Sequence, residues 1–399
     1  MRVAIIGQGY VGLTIAASAA NVGHNVVGLE INHEIAKRLA LGESHIEGIA
    51  SGDLKHLIAA GTYTCIEDPS QIATAEIVII AVPTPLDADR NPDLSAIYSA
   101  CDLIATQFNS PVLVINESTS FPGTLRQEIA GRIFETSGVN HLYAVSPERV
   151  DPGNLTWNTK NTPRLVSGLD DEATNKAIDF YSSFCDQVIK VSSPEVAEAA
   201  KLFENSFRQI NIALVNEFAQ IAHTLGFSAR EVIDAAATKP FGFMPFSPGA
   251  GVGGHCIPLD PSYLAFVADR AEVPATFIKR ANEVNLAMPR YVAQRVVKGS
   301  GGSIKGKKVV VIGLAYKANI ADTRESPAEA IIEILRAGGA VVTWHDPLVL
   351  SWRGESSHHI AGADIAVVVT LHDVISVNEI IKTPYVFDCT GKIPGVEGI

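Results

Sequence analysis

The stretch Gly249-Ala250-Gly251-Val252-Gly253-Gly254-His255-Cys256-Ile257-Pro258-Leu259-Asp260 sets one cysteine in a glycine-dense loop, with a carboxylate four residues later. Glycine tolerates positive φ and lets a ligand approach the backbone. A thiolate on such a loop is a strong nucleophile. The same pattern suits a tight loop around a buried thiol, since unpaired cysteine is among the most buried residue types. Lys201 and Asn205 lie four apart in a run without glycine or proline from Glu195 to Leu225. They share one helix face. An ammonium and an amide there suit oxyanion stabilisation, or simply line a solvated face. Ser146-Pro147-Glu148-Arg149 ends an apolar strand. Glu148 can act there as a base toward water, or form an ion pair with Arg149 or another base. Glu117-Ser118-Thr119-Ser120 and Val82-Pro83-Thr84-Pro85 end two further apolar strands. Thr119 can bond a nicotinamide or a water, or cap the next helix.

These residues need a scaffold, and the sequence supplies one. Residues 2–6 form an apolar strand running into Gly7-Gln8-Gly9-Tyr10-Val11-Gly12. A small-residue helix (13–22) and a second strand (25–30) complete a βαβ unit. In such a unit Gly7 makes the turn, Gly9 admits a pyrophosphate, Gly12 permits close helix packing, and the helix N-terminus attracts the phosphates. Glu30 ends the second strand, where a carboxylate bonds both ribose hydroxyls and repels a 2′-phosphate, so NAD is favoured over NADP. A tight structural turn is the plainer alternative. Apolar strands recur at 76–83, 111–116 and 142–146, with helical stretches between. This alternation predicts a parallel sheet covered by helices. One long helix is expected from Glu195, and a second helical stretch over 263–298. Gly299-Ser300-Gly301-Gly302-Ser303 reads as a linker. Strands at 309–312, 340–345, 365–370 and 385–388, with a helix at 326–337, predict a second, smaller nucleotide fold. Lys317 and Arg324 fall between its first strand and a helix N-terminus, a natural phosphate site. Ser326-Pro327 reads as cap and first helical residue. Ligands are expected at the carboxyl ends of the strands, in a cleft between the lobes.

With 47% hydrophobic and 19% charged residues, the 399-residue chain has an ordinary globular composition. A net charge of −12 argues against non-specific nucleic-acid binding. Five widely spaced cysteines without a CxxC pair fit a reducing compartment. No Cys/His cluster has zinc spacing. No signal-peptide pattern and no membrane-length apolar run stands in the sequence, so a cytoplasmic protein is expected.

The motifs together resemble the UDP-sugar 6-dehydrogenases, the UDP-glucose and UDP-N-acetylhexosamine dehydrogenases, over residues 1 to about 369. The resemblance rests on Gly7–Leu13, Ser146-Pro147-Glu148, Lys201/Asn205, Gly253-Gly254-x-Cys256-x-Pro258-x-Asp260 and Asp322-Thr323-Arg324-Glu325-Ser326. It implies an α/β fold of two Rossmann-like parallel-sheet domains joined by a long central helix. The domains would be 1–192 for NAD, 193–298 for a helical dimerisation region, and 303–399 for UDP. It implies two successive NAD-dependent oxidations of an alcohol to a carboxylate. Cys256 would be the nucleophile; Glu148 and Asp260 would handle protons and water, with Thr119 holding the water. Lys201 and Asn205 would stabilise the oxyanions. Gly7, Gly9, Tyr10, Val11, Gly12, Glu30, Pro83, Thr84, Thr119 and Arg324 would face the cofactor. Glu148, Arg149, Lys201, Asn205, Arg208, Phe246, Gly253 and Lys317 would face the UDP-sugar.

Asp151-Pro152-Gly153-Asn154, Glu204-Asn205-x-Phe207-Arg208 and Phe243-Met244-Pro245-Phe246 look like the N-acetylhexosamine branch, with N-acetylglucosamine favoured. The UDP-glucose enzymes usually carry an arginine upstream of the cysteine loop, and Lys239-Pro240-Phe241-Gly242-Phe243 has none. Glu30 departs from the family's usual aspartate. A one-step hydroxyacid dehydrogenase would not need Cys256, and a non-catalytic nucleotide-sugar binder would not need the full set of polar residues.

Overall fold

The computed structural model describes residues 1–46, 48–150, 154, 156–254 and 256–399, so Asp151-Pro152-Gly153 of the substrate-branch motif lies outside the described residues. The chain forms two compact units: Met1–Glu204 with Phe266–Ala271, and Asn205–Ala265 with Glu272–Ile399.

The first unit is a sheet with helical cover. Its strands are β1 (Arg2–Ile6), β2 (Asn25–Leu29), β3 (Tyr63–Ile66), β4 (Ile77–Ile80), β5 (Leu113–Asn116), β6 (Leu142–Val145), β7 (Arg164–Gly168) and β8 (Val188–Lys190). Their order across the sheet is β3-β2-β1-β4-β5-β6-β7-β8. Pairing is parallel from β3 to β6, and the central strands are short, buried apolar runs, as a sheet covered on both faces requires. The sequence expectation of a parallel sheet stops at β6. There β7 pairs antiparallel, Val145 opposite Ser167, and β8 then runs parallel to β7. The helices are α1 (Tyr10–Asn21), α2 (His33–Ala40), α3 (Ser51–Ala59), α4 (Ser95–Gln107), α5 (Gly131–Ser137) and α6 (Asp171–Ser182). A π-helical turn, Thr124–Ala130, precedes α5. Ile5, Leu13, Ile15, Tyr63, Ile79, Ile115 and Phe180 belong to one core cluster.

Helix α7 (Pro194–Leu225) runs 32 residues and passes from the first unit into the second after Glu204. Proline opens it and Gly226, at φ +83, follows its end. The second unit continues with α8 (Ala229–Ala237), whose Ser228 cap accepts the Glu231 N–H; α9 (Asp260–Arg270) begins in the second unit and belongs to the first from Phe266, and α10 (Thr276–Gly299) lies in the second. A single helical stretch was expected over 263–298. It is instead broken at 271–275, where Glu272 takes φ +58 and Pro274 disfavours helix in the residue before it.

The strands of the second unit are β9 (Lys308–Ile312), β10 (Val341–His345), β13 (Ile365–Val368), β14 (Tyr385–Asp388) and β15 (Glu397–Gly398). They pair in parallel in the order β10-β9-β13-β14-β15, while β11 (Ser351–Trp352) and β12 (Glu355–Ser356) form a small antiparallel ribbon. Helix α11 (Pro327–Ala337) starts at Ser326, whose hydroxyl accepts the Ala328 N–H. A short helix, α12 (Val377–Ile380), follows β13. Trp344, Phe387, Ile331 and Leu335 are fully buried in this unit's core.

Candidate active site

In the first unit the glycine turn has the form a dinucleotide needs. Gly7 sits at φ +90, and a Cβ there would lie 2.5 Å from the Ala81 carbonyl oxygen. A Cβ on Gly12 would collide with the Gly7 carbonyl. Gly9 is different: nothing lies within 4 Å of where its Cβ would be. It caps α1 without a side chain, and no acidic residue occupies the first turn of the helix. The α1 N-terminus is thereby left as a bare backbone cradle for phosphate. Tyr10 and Val11 open that helix, and Val11 packs on the core beneath. At the end of β2 the Glu30 carboxylate accepts the Gln8 N–H at 3.0 Å and the Asn32 N–H at 2.8 Å. These residues fit NAD.

After β5 the chain is pinned on both sides of Thr119. The Ser118 hydroxyl donates to the Val82 carbonyl at 2.8 Å and accepts the Val82 N–H at 2.9 Å. This ties the Thr119 segment to Val82-Pro83-Thr84, where Pro83 is exposed and Thr84 buried. On the other side, Ser120 accepts from the Asn116 amide. Between them Lys201 Nζ donates to Thr119 Oγ1 at 2.6 Å. Lys201 is only 7% exposed, while Phe203 on another face of α7 is 68% exposed. The lysine face is the buried one, which removes the solvated-face reading.

Glu148 sits in a cluster that its sequence context did not announce. Arg164, at the start of β7, donates to both oxygens of Glu117 at 2.8 and 2.7 Å and to Glu148 Oε2 at 2.7 Å. Tyr181 donates to Glu117, and the guanidinium lies 4.6 Å over the Tyr181 ring. All four are buried. Burial pushes both carboxyls up. For Glu117 that effect prevails over Arg164, and the neighbouring Glu148 charge adds to it. For Glu148 it is overcome by Arg164 and by the Arg149 and Val150 N–H groups, so its carboxyl is held below the usual range. Arg149 does not pair with Glu148: its guanidinium bonds Glu204 at 2.6 Å and the Pro163 carbonyl.

In the second unit Cys256 is exposed. Burial pushes the Cys65, Cys101 and Cys185 thiols up, to about 11, 12 and 11, and Cys389 higher still. The Cys256 carbonyl accepts the Asp260 N–H at 2.8 Å and the Leu259 N–H at 3.2 Å, so the residue opens the turn that leads into α9. Asp260 is 1% exposed and accepts from Asn205 Nδ2 at 2.7 Å.

The glycines before Cys256 serve a close packing. A Cβ on Gly253 would lie 2.6 Å from Tyr316 Cβ, and one on Gly254 (φ +87) 2.7 Å from the Tyr316 ring. The Gly254 N–H bonds the Arg324 carbonyl at 2.9 Å, and Tyr316 N–H bonds the Asp322 carbonyl at 3.0 Å. The cysteine loop thus lies on the 316–324 segment, which also carries Lys317. The Arg324 guanidinium is held by Asp322, with its shortest contact 2.6 Å. Phe246 meets Phe207 edge-on at 5.9 Å between centroids, and Arg208 is exposed on α7.

The structure therefore brings together Lys201 with Thr119 and Asn205 with Asp260, whose backbone N–H is bonded to the Cys256 carbonyl. Arg164 and Tyr181 hold Glu117 and Glu148, and Glu198 accepts the Gly123 and Leu125 N–H groups next to the Thr119 segment. Arg164 follows a proline in a polar loop and Glu198 reads as one more polar helix position, so neither carries a sequence signal. Glu117 stands beside Ser118 and Thr119, and its burial is its only distinction. Among the described residues no group of three or more His, Cys, Asp or Glu is arranged to hold a metal ion, and no helix is long and apolar enough to cross a membrane.

A dinucleotide cradle in one unit, and in the other an accessible thiol packed on a second nucleotide-type fold, define a nicotinamide-dependent dehydrogenase of a nucleotide-linked substrate. The chain belongs to the UDP-glucose/GDP-mannose dehydrogenase family. The family's NAD-binding domain matches residues 1–185, its central domain 195–287 and its UDP-binding domain 310–393. The protein is an NAD-dependent UDP-sugar dehydrogenase. It is 36% identical over 381 residues to the UDP-N-acetyl-D-mannosamine dehydrogenase of Pyrococcus horikoshii, covering 93% of this chain and 90% of that one. It is 32% identical over 361 residues to the UDP-N-acetyl-D-glucosamine 6-dehydrogenase of Pseudomonas aeruginosa, covering 88% and 83%. The solved Pyrococcus UDP-D-ManNAc dehydrogenase superposes with a TM-score of 0.90 at 32% identity, covering 100% and 99% of the two chains.

Proposed function

We propose that this protein oxidises C6 of a UDP-N-acetylhexosamine twice, from alcohol to uronic acid, through a thioester on Cys256. The observation that carries the reading is the exposed Cys256 in the turn before α9: its carbonyl accepts the Asp260 N–H, and the Asp260 carboxylate accepts from Asn205. Bound NAD⁺ accepts the hydride in each oxidation. An aldehyde releases hydride poorly, whereas its thiol adduct releases it readily. Cys256 adds its thiolate to the C6 aldehyde; oxidation of that thiohemiacetal leaves a thioester, which water cleaves to carboxylate and free thiol. Lys201, with its ammonium on the Thr119 hydroxyl, and Asn205 stabilise the oxyanions of these steps. Thr119 holds the hydrolytic water. Glu148, kept ionised by Arg164, is a weak base but a strong acceptor and orients that water, while Asp260 manages the protons. Lys317 and Arg324 take the nucleotide and cofactor charges, with Arg149, Arg208, Phe246 and Gly253 on the sugar side.

The branch motifs read in the sequence point to an N-acetyl sugar, and the 36% identity to the Pyrococcus enzyme puts the manno epimer ahead of the gluco epimer. The product suits surface-polysaccharide precursors, and the expected setting is cytoplasmic. Leu214, Ile221 and Leu225 are exposed on one face of α7, and Phe277 on α10. A second copy of the chain, in a homodimer through the central helices, covers them. The test is turnover on a panel of UDP-N-acetylmannosamine, UDP-N-acetylglucosamine and UDP-glucose. The N-acetyl sugars are expected to exceed UDP-glucose by at least about tenfold in kcat/KM. Preference for UDP-glucose would refute the substrate assignment.

A further inference from the structure

Helix α7 grips the Thr119 segment at two points a single turn apart. Lys201 holds the Thr119 hydroxyl. Three residues earlier on the same face, Glu198 takes the segment that follows. Its Oε2 accepts the Gly123 N–H at 2.7 Å, and its Oε1 accepts the Leu125 N–H at 3.0 Å and the Ser120 hydroxyl at 3.2 Å. Gly123, at φ +99, starts the π-helical turn, so the carboxylate satisfies N–H groups that no helical carbonyl reaches.

Glu198 is 1% exposed, and Glu195, the acidic neighbour one turn before it, is occupied with Arg126. Burial pushes the Glu198 carboxyl up to about 7, against the lowering by its Leu125, Gly123 and Ser120 donors. A buried carboxylate is a costly way to fill a packing position, and an apolar residue would fill it better. Its value lies in having two accepting oxygens aimed at fixed donors. An amide has only one, and its NH₂ would face an N–H.

We propose that Glu198 is a positioning residue of the active site: it locks residues 120–125 onto α7, so that Thr119 Oγ1 stays on Lys201 Nζ. The proposal rests on the roles given above to Thr119 and Lys201. It acts only through them, since Glu198 has no part in the chemistry itself.

The test is a kinetic double-mutant cycle of Glu198→Gln with Thr119→Ala, run alongside thermal melts. Glu198→Gln is expected to lower kcat about tenfold, as small misplacements near reacting groups do, with KM for the UDP-sugar and for NAD within about twofold. In the Thr119→Ala background the same change is expected to cost nothing further. Ser120→Ala, which removes the weakest of the three bonds, gives a smaller loss of the same kind and stands in for Glu198→Gln should that variant fail to fold. Losses that add in full to those of Thr119→Ala, or that fall on KM, would overturn the Glu198 role alone. Undiminished turnover in Thr119→Ala would overturn the assigned role of Thr119, and the Glu198 role with it.

Discussion

Arg164 offers one guanidinium to two buried carboxylates, Glu117 and Glu148. Removing one partner of a buried ion pair leaves uncompensated charge in a low-dielectric interior. Arg164→Met is therefore expected to cost about 3–5 kcal/mol in urea unfolding. A loss below about 1 kcal/mol would mean that the carboxylates do not depend on it. Glu198 makes a prediction of opposite sign. Its folded-state value near 7 lies above the ordinary 4.5, so the native state binds this proton more tightly than the unfolded chain does. Its contribution is present below about pH 4.5 and is lost as pH rises through about 7, amounting at most to about 3 kcal/mol. Lowering the pH from 8 to 5 should therefore stabilise the parent more, or destabilise it less, than Glu198→Gln, as read from the urea midpoints. An equal difference in both would show that Glu198 is not the group responsible. Among the thiols, Cys256 is expected to be alkylated by iodoacetamide in the folded protein, while Cys101, Cys185 and Cys389 react only on unfolding. Peptide mapping reads this directly, and modification of Cys389 ahead of Cys256 would contradict the described exposure.

At the scale of elements, the glycine pair before Cys256 is a packing device. Gly254→Ala places a methyl against the Tyr316 ring at a φ of +87, where side chains are strained. It is expected to lower turnover by at least about tenfold through displacement of the cysteine loop. Turnover within a factor of two of the parent would show that the loop does not need this seat. The sequence could announce the glycines and the thiol but not Tyr316, which comes from a segment more than sixty residues away. The same limit explains what else was hidden. β1, the glycine turn and β2 were legible because a buried strand, a phosphate turn and a helix follow one another along the chain. The Arg164 cluster joins β5, the chain after β6, β7 and α6, and no local pattern encodes that meeting. The antiparallel turn into β7 was hidden for the same reason: parallel and antiparallel strands read alike when both are short. The break at 271–275 was partly legible, since Pro274 marks it, but the helical pattern on either side masked it.

At the scale of the whole molecule, two parallel-sheet units and one long helix account for a dehydrogenase with separate NAD- and UDP-binding domains. Placing a charge on the apolar face of α7, as in Ile221→Glu, is expected to shift the protein from dimer to monomer in light scattering. A parent that is already monomeric would contradict the proposed pairing of copies. The central claim is that Cys256 carries the sugar through a second oxidation, and the stoichiometry of NADH tests it most directly. With limiting UDP-N-acetylhexosamine the account predicts two NADH per sugar for the parent and no more than one for Cys256→Ser. One NADH per sugar from the parent, or two from Cys256→Ser, would contradict it.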